Sequence, residues 1–443
     1  MGSFQVDGDG LSPALDIESK IPEGARYNGF LDIFGLSGIS GRAWRVTVLS
    51  LLGWLLVNAD GSLFNFAYPV IQKELGLSDG AIALIYTIIF LVGAASTFVA
   101  GPLMDSIGRK PIYQACLFAA AFGSIVTAAA PGFMILLLGR SITQVGAATE
   151  WMSGQVMVAE EAPARARGRL IGLAQIGYPL GFFLGAILSM LILERLGWRA
   201  LFACGVIPVI LMIWARKGIE DTSRFKQEQA VERVKPEISK GRFSQLFHAD
   251  LRRSSICISI WHFTYAFGVA GIISYLPTVY SHFGISLTNT FLSSAIATGL
   301  AAFGYVLAAF LGEEFGRREI SALFLVLGAG AGALLAFRAT NWWLLTAFYA
   351  LFYFFTLGHI TSAVGFAAEV FPTRVRGTGA NLVAGSEWLG FVVAGLTGPW
   401  LLKNLGYSST LLLWCVISQL VAAAAAMCMQ RVRPQTVLEA IAN

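Results

Sequence analysis

Six ionisable side chains stand inside stretches that are otherwise apolar: Asp60, Arg140, Glu150, His262, His359 and Glu387. A charge at the centre of a bilayer costs at least about 2.5–3.5 kcal/mol, so each position needs a task or a partner. A carboxyl partly withdrawn from water takes up protons more readily, which makes Asp60 and Glu150 the candidates for proton coupling. The alternative for both is a permanently paired carboxylate closing a helix contact. Arg140 can answer a carboxylate on a small substrate, and Glu387 can bind a hydroxyl or amine or share in coupling. Ten residues separate Arg140 from Glu150, about 15 Å along one helix, so a direct pair between them is not expected. His359, Asn58, Trp151, Gln175 and Tyr178 supply the nitrogens, amides and rings that grip a small polar substrate. Asn65, Gln144, Gln155, Trp261, Tyr265, Asn381 and Trp388 are further candidates for the same lining. No spacing suggests a metal site, and no cofactor is expected.

The elements that position these groups follow from composition. Of 443 residues, 56% are apolar and 13% charged, against about 25% charged in a soluble globular chain. So few charges cannot cover a water-soluble surface, and a lipid-embedded protein is expected. The net charge of +5 and pI near 9.0 come from short basic clusters between apolar runs, not from a stripe interleaved with aromatics. Nucleic acid is therefore not an expected partner. The odd count of five cysteines, all in or beside apolar runs, reads as buried small hydrophobes.

A helix needs about 20 mostly apolar residues to cross about 30 Å of hydrocarbon. Twelve such stretches fall near 45–70, 81–104, 111–130, 132–158, 169–193, 199–216, 254–280, 288–312, 319–337, 341–367, 377–402 and 407–430. The expected organisation is a tail over 1–43, six spans over 44–216, a polar loop over 217–253, six more spans over 254–430 and a tail over 431–443. With the first tail inside, 25 of the 31 Lys and Arg lie on the cytosolic side. Only Lys73, Arg195, Arg199, Arg338 and Lys403 lie outside, and Arg140 lies within a span. The positive-inside rule then places both termini in the cytosol of a cell whose inner or plasma membrane holds the chain.

Two unlike motifs recur at one offset. Gly101-Pro-Leu-Met-Asp105-Ser-Ile-Gly108-Arg109-Lys110 returns as Ala309-Phe-Leu-Gly-Glu313-Glu-Phe-Gly316-Arg317-Arg318, 208 residues on. Ala159-Glu160-Glu-Ala-Pro163-Ala-Arg165-Ala-Arg167-Gly168 returns as Ala368-Glu369-Val-Phe-Pro372-Thr-Arg374-Val-Arg376-Gly377, 209 residues on. Matching positions in two six-span halves imply a duplicated unit, an all-α membrane protein of 12 transmembrane helices in two pseudo-symmetric six-helix bundles. At the same offset Glu150 corresponds to His359, Glu387 to Tyr178 and Arg140 to Tyr349. Charges repeated on both halves (Asp105, Arg109 and Lys110; Glu313, Arg317 and Arg318) can latch the bundles and release them; the alternative is that they serve only as topology anchors. Gly101, Gly108 and Gly316 allow close approach and tight turns beside those charges.

These motifs carry a family resemblance. Gly101-x-x-x-Asp105-x-x-Gly108-Arg109-Lys110 resembles the loop 2–3 signature of the major facilitator superfamily, and Arg140-x-x-x-Gln144-x-Gly146 its fourth-helix signature. Glu220-Asp-Thr-Ser-Arg224-Phe225 is similar to a degraded form of the segment after helix six. The branch resembled contains sugar porters and metabolite:proton symporters. Aromatic-acid symporters of the family carry two acids in an Asp-Gly-x-Asp segment of helix one; here Asp60-Gly61 is followed by Leu63 at the second acid position. The resemblance implies a secondary transporter that alternates access by rocking one half against the other. Read with the buried charges, the expectation is proton-coupled symport of a small organic acid or related metabolite. A sugar, polyol or organic cation, or drug:proton antiport, is the alternative. The partners are then a small molecule, protons and the bilayer, with a single chain as the working unit.

Two patterns are set aside. Gly328-Ala-Gly330-Ala-Gly332 mimics a dinucleotide fingerprint but lies inside an apolar span with no acid about 20 residues later. Glu160-Glu161 resembles a catalytic pair, yet its neighbours Arg165 and Arg167 suggest a solvated charge cluster. The longest loop is too short for a folded catalytic domain, and no enzyme is expected.

Overall fold

The computed structural model describes residues 36–207, 210, 242–338 and 341–431. Among these residues every regular element is helical. The first half comprises α1 (Gly41–Glu74), α2 (Asp79–Ile107), α3 (Arg109–Ala128), α4 (Phe133–Glu161), α5 (Arg167–Gln175) and α6 (Gly177–Cys204). After a single turn at Arg242–Gln245 come α7 (Arg252–His282), α8 (Leu287–Phe315), α9 (Arg317–Arg338), α10 (Trp342–Val370) and α11 (Arg376–Asn404). The last crossing is built from α12 (Tyr407–Leu412), a π-helical turn (Leu413–Ile417) and α13 (Ser418–Met427). The Glu220–Phe225 segment, most of both tails and most of the central loop lie outside the described residues.

The duplication is visible in the small devices that start and stop helices. Ser78 and Ser286, 208 residues apart, each accept a hydrogen bond from the backbone N–H three residues on and cap α2 and α8. Gly108 (φ 121°) and Gly316 (φ 108°) make the sharp turns from α2 to α3 and from α8 to α9. Residues with a Cβ rarely adopt that backbone. Gly197, with φ 77° and ψ 172°, breaks α6 internally, so α5 with the first part of α6 forms the fifth crossing and the sixth begins beyond it. Gly406 makes the corresponding break before α12.

Ten helices among the described residues are long and apolar enough to span a bilayer. Of the twelve expected, α4 is long enough at 29 residues but carries Arg140, Gln144, Glu150 and Gln155, which lower its apolarity. The sixth, expected over 199–216, runs beyond the described residues. The outer faces carry apolar side chains such as Val99, Phe118, Phe183, Phe303 and Trp400, each more than 60% exposed, as surfaces meant for lipid do. Cys204 and Cys428, expected in the interior, also lie on this exposed surface, whereas Cys116 and Cys415 are buried. In a bilayer an apolar residue satisfies either location, so hydrophobicity alone did not assign them.

Within the first half α1 packs on α6, and α3 on α4; within the second α7 packs on α11, and α8 on α10. Close approach of α1 and α6 depends on glycine: a methyl group at Gly181 would sit 2.4 Å from the Leu55 carbonyl oxygen. Gly390, 209 residues on, gives α11 the same clearance against the Phe263 carbonyl of α7. The halves meet through α2 against α11 and α5 against α8, contacts that the repeat exchanges.

Candidate functional site

A cavity of about 90 Å³ lies between the halves at mid-helix depth. Its wall takes Trp54 from α1, Trp151 from α4, Gln175 from α5 and Tyr178 from α6. The other half gives Tyr265 from α7, Tyr305 from α8, and Glu387, Trp388 and Phe391 from α11. Val269, Ile273, Leu357 and Ile360 complete it. Trp54 stacks on Trp151 with ring centroids 5.6 Å apart, and Trp388 stacks on Phe90 at 5.9 Å. Gln175 is oriented by accepting a hydrogen bond from the Trp151 indole at 3.2 Å, and its amide nitrogen has no protein partner. Opposed ring faces with a few aimed polar groups suit a flat small molecule.

Among the described residues, Glu387 contributes the one carboxyl of this wall. On its far side, His262 Nδ1 lies 2.6 Å from Glu387 Oε1, and the histidine is fully buried. His359 lies behind Tyr265, with ring centroids 4.3 Å apart, and donates from Nδ1 to the Thr356 carbonyl. Of the sequence candidates, Trp151, Gln175, Tyr178, Tyr265, Glu387 and Trp388 come together here. Tyr178 and Glu387 occupy equivalent positions of the repeat, so the duplication delivers one polar group from each half to the same cavity.

Asp60 and Arg140 form a separate buried site. Arg140 Nη1 donates to Asp60 Oδ2 at 2.9 Å, and Ser124 donates to Oδ1. The guanidinium lies over the rings of Phe64 and Phe202, at 5.1 and 5.5 Å. Arg140, expected to face a substrate, is thus directed at Asp60 and is absent from the cavity wall. Glu150, ten residues further along α4 than Arg140, is buried where its carboxylate lies against Gly53 and Tyr113. Asn58 donates to the Trp54 carbonyl at 2.7 Å within α1.

The repeated loops meet at one end of the molecule. Asp105 accepts from the backbone N–H of Gly377 at 2.9 Å and from the N–H and hydroxyl of Thr378 at 2.6 and 2.7 Å. Its counterpart Glu313 accepts from the N–H of Gly168 and pairs with Arg317 at 2.7 Å. Glu160 bridges Arg109 at 3.1 Å and Arg376 of the other half at 3.3 Å. Glu369 does the same for Arg317 and, at 3.0 Å, Arg167. Glu160 is therefore buried, 3% exposed: the expected solvated cluster is instead closed inside the seam, because its partners come from distant helices. Gly101 lets α2 reach α11, since a methyl there would lie 2.9 Å from Thr378 Cα. Arg318 reaches outward and donates to the Met429 carbonyl at 2.7 Å. Lys110 is half-buried at the start of α3.

Sequence reasoning did not single out Trp54, Tyr305, Phe391 or Ser124. Trp54 precedes Asn58 by four residues on one helix face, a spacing that could have flagged it. Nothing local marks the other three.

A model of the Major Facilitator Superfamily matches residues 50–309 and 258–441. The chain is 26% identical over 393 residues to a putative niacin/nicotinamide transporter of Bacillus subtilis (strain 168), covering 88% of this chain and 96% of that one. It is 25% identical over 416 residues to a 4-hydroxybenzoate transporter of Acinetobacter baylyi, covering 86% and 90%. It is also 26% identical to a probable 4-methylmuconolactone transporter of Cupriavidus pinatubonensis, covering 74% and 76%. Among solved structures, the proton:xylose symporter XylE bound to 6-bromo-6-deoxy-D-glucose superposes with a TM-score of 0.72 at 18% identity, covering 90% of this chain and 98% of that one.

Proposed function

Since the chain belongs to the major facilitator superfamily and is a multi-pass membrane transporter rather than an enzyme, we propose that it performs proton-coupled symport of a small, ring-bearing organic acid or related metabolite. The observation that carries this reading is a cavity walled by opposed aromatic rings, in a chain that also buries a separate Asp60–Arg140 pair. Rings, one amide and one carboxyl at mid-depth suit a flat metabolite of the size of niacin or 4-hydroxybenzoate, cargoes named for two relatives.

Asp60 carries the proton in this reading. Deprotonated, it holds Arg140; protonated, it releases the guanidinium and weakens the tie between α1 and α4. Glu150 is a second proton-accepting group, buried on the same helix as Arg140. The loop charges act as the latch, and the positive-inside rule puts them, and both termini, in the cytosol. The conformation with Asp105 and Glu313 engaged is then closed toward the cytosol, and cargo enters from the opposite face. The cell membrane is the natural location, and one chain contains the whole passage.

A second reading, an organic cation as cargo, is favoured by one observation: among the described residues no lysine, arginine or histidine lines the cavity, while Glu387 does. Reconstituted vesicles test the main reading. An inward acid gradient should drive accumulation of labelled nicotinate or 4-hydroxybenzoate, and its collapse should end accumulation. Asp60→Asn should abolish accumulation while sparing exchange across the membrane. Normal accumulation by that variant removes Asp60 from the coupling role.

A further inference from the structure

We propose that the Glu387–His262 pair is a proton-gated carboxylate receptor, the point in the cavity at which cargo anion and proton must be present together. The proposal rests on the symport reading above and adds to it a cargo class and the residues that recognise it.

A carboxylate entering this cavity meets no fixed positive charge. Every lining side chain is aromatic, aliphatic or an amide apart from Glu387, and Arg140 is committed to Asp60. An uncompensated carboxylate in such surroundings is strongly disfavoured. With His262 neutral and Glu387 ionised, the pair bears one negative charge and repels the cargo. One proton added to the pair cancels that charge. His262 holds Oε1 at 2.6 Å, which leaves Oε2 to face the cavity. A protonated Oε2 donates to the cargo carboxylate, and an O–H···O⁻ bond is among the strongest a protein makes. One proton, in addition to the one Asp60 carries, and one anion enter together from the open side, no covalent bond changes, and both leave on the opposite side.

The placement of His262 supports a proton-holding role for the pair. It sits on α7, fully buried against α11, and its second ring nitrogen has no hydrogen-bond partner. The pair can therefore store the proton on either member without rearranging a wider network. The titratable side chains around it are Tyr265 on α7 itself, Tyr305 of α8, Tyr178 of α6, and His359 of α10 beside Tyr265. The α4 charges lie elsewhere, Arg140 at Asp60, Glu150 at Gly53 and Tyr113, and Glu160 in the seam at the loop end. From α2 the groups stacked near this part of α11 are Phe90 and Gly93, and its Asp105 is engaged at the loop end. Among the described residues the other donors of the wall are neutral, chiefly the Gln175 amide and the indole N–H groups of Trp54 and Trp388, and none of them cancels the charge of an anion as the added proton does.

The test is binding to the intact protein in lipid nanodiscs from pH 5 to pH 8, using nicotinate, 4-hydroxybenzoate, nicotinamide and benzyltrimethylammonium. One linked proton weakens anion binding by up to about tenfold per pH unit above the loading point. The expected result is that slope for at least one of the two carboxylates, with no slope for uncharged nicotinamide. Glu387→Gln keeps a donor without a titrating proton, so it should bind the same carboxylate at pH 8 as at pH 5. His262→Gln should move the pH at which affinity falls. The wild-type comparison of anion with neutral amide stands even if a variant fails to fold. Binding of neither carboxylate at pH 5, an unchanged slope in Glu387→Gln, or tightest binding of the ammonium probe at high pH each overturns the proposal. If Asp60→Asn still abolishes proton-driven accumulation in those cases, the symport reading survives and only this receptor falls.

Discussion

Asp105, at the end of α2 in the first half, caps the start of α11 in the second half through Thr378, whose N–H and hydroxyl both donate to it. Glu313 at the end of α8 returns the arrangement by accepting from Gly168 at the start of α5. A carboxylate at a helix start also meets the positive end of the helix dipole. Each half thus supplies the anion that completes a helix of the other. Around these caps, Glu160 and Glu369 each hold one arginine from either half. If the halves part at that end, as the proposed rocking motion requires, these contacts between the halves are lost, and their free energy then favours the closed conformation.

It follows that Asp105→Ala or Glu313→Ala shifts the balance toward opening at the loop end. Removing one member of a buried charged cluster costs about 3–5 kcal/mol. Part of that loss falls on the closed state alone. Spin labels at the exposed positions Ile107 and Phe315 should show a longer distance population in either variant. An unchanged distance distribution means that the caps do not hold the latch.

Helix clearance gives a second prediction. Gly181→Val places a branched side chain where a single methyl already meets the Leu55 carbonyl at 2.4 Å. Overpacking of this kind costs about 1–3 kcal/mol. The melting temperature in detergent should fall, and Gly390→Val should lower it similarly because the repeat puts the same constraint there. Gly395→Val, where nothing lies within 4 Å, serves as the control and should melt close to the parent chain.

Much of this architecture could be read before any coordinates. The offset of 209 residues puts Tyr178 opposite Glu387, whereas the paired caps at Ser78 and Ser286 emerge only from the structure. The ten-residue separation of Arg140 and Glu150 argues against a direct pair and leaves each to find a partner elsewhere or face water; Asp60 is that partner for Arg140. What could not be read is pairing over long sequence distances. Glu160 sits near Arg165 and Arg167 in sequence, yet its bonds go to Arg109 and Arg376. A periodic pattern shows which face of a helix is polar but not which neighbour meets that face. The cavity wall suffers the same limit: Tyr305 and Phe391 are ordinary aromatics of apolar spans until the two halves close around them.

Glu74 at the end of α1 provides a pH test away from the lipid. Its carboxyl is held below its ordinary value of 4.5, chiefly by the hydrogen bond from Arg199 and then by that from the Trp198 indole. Because the folded value is depressed, the stabilisation is complete above the unfolded value and fades as pH falls through the folded one. Glu74→Gln should therefore lower the melting temperature slightly at pH 7, and the difference from the parent chain should vanish in acid. A difference that persists undiminished at the lowest pH would assign the effect to packing against Trp198 instead.

The stacked wall formed by Trp54 and Trp151 predicts how affinity is distributed. Ring-on-ring contacts contribute about 0.5–1.5 kcal/mol beyond area burial, so loss of one stacking partner should weaken binding of a flat cargo about two- to twelvefold. Trp151→Ala removes a ring and also frees Gln175, whose carbonyl oxygen accepts from that indole. Trp151→Phe keeps a ring face but loses the N–H. If stacking dominates, the phenylalanine variant should retain most of the affinity and the alanine variant should not. If orientation of Gln175 dominates, both should weaken alike, and Gln175→Leu should reproduce the loss. Equilibrium binding of nicotinamide, a neutral ring whose affinity is insensitive to the protonation of Glu387, separates these outcomes without interference from coupling. Unaltered binding in Trp151→Ala would place the cargo elsewhere and remove this cavity from the transport path.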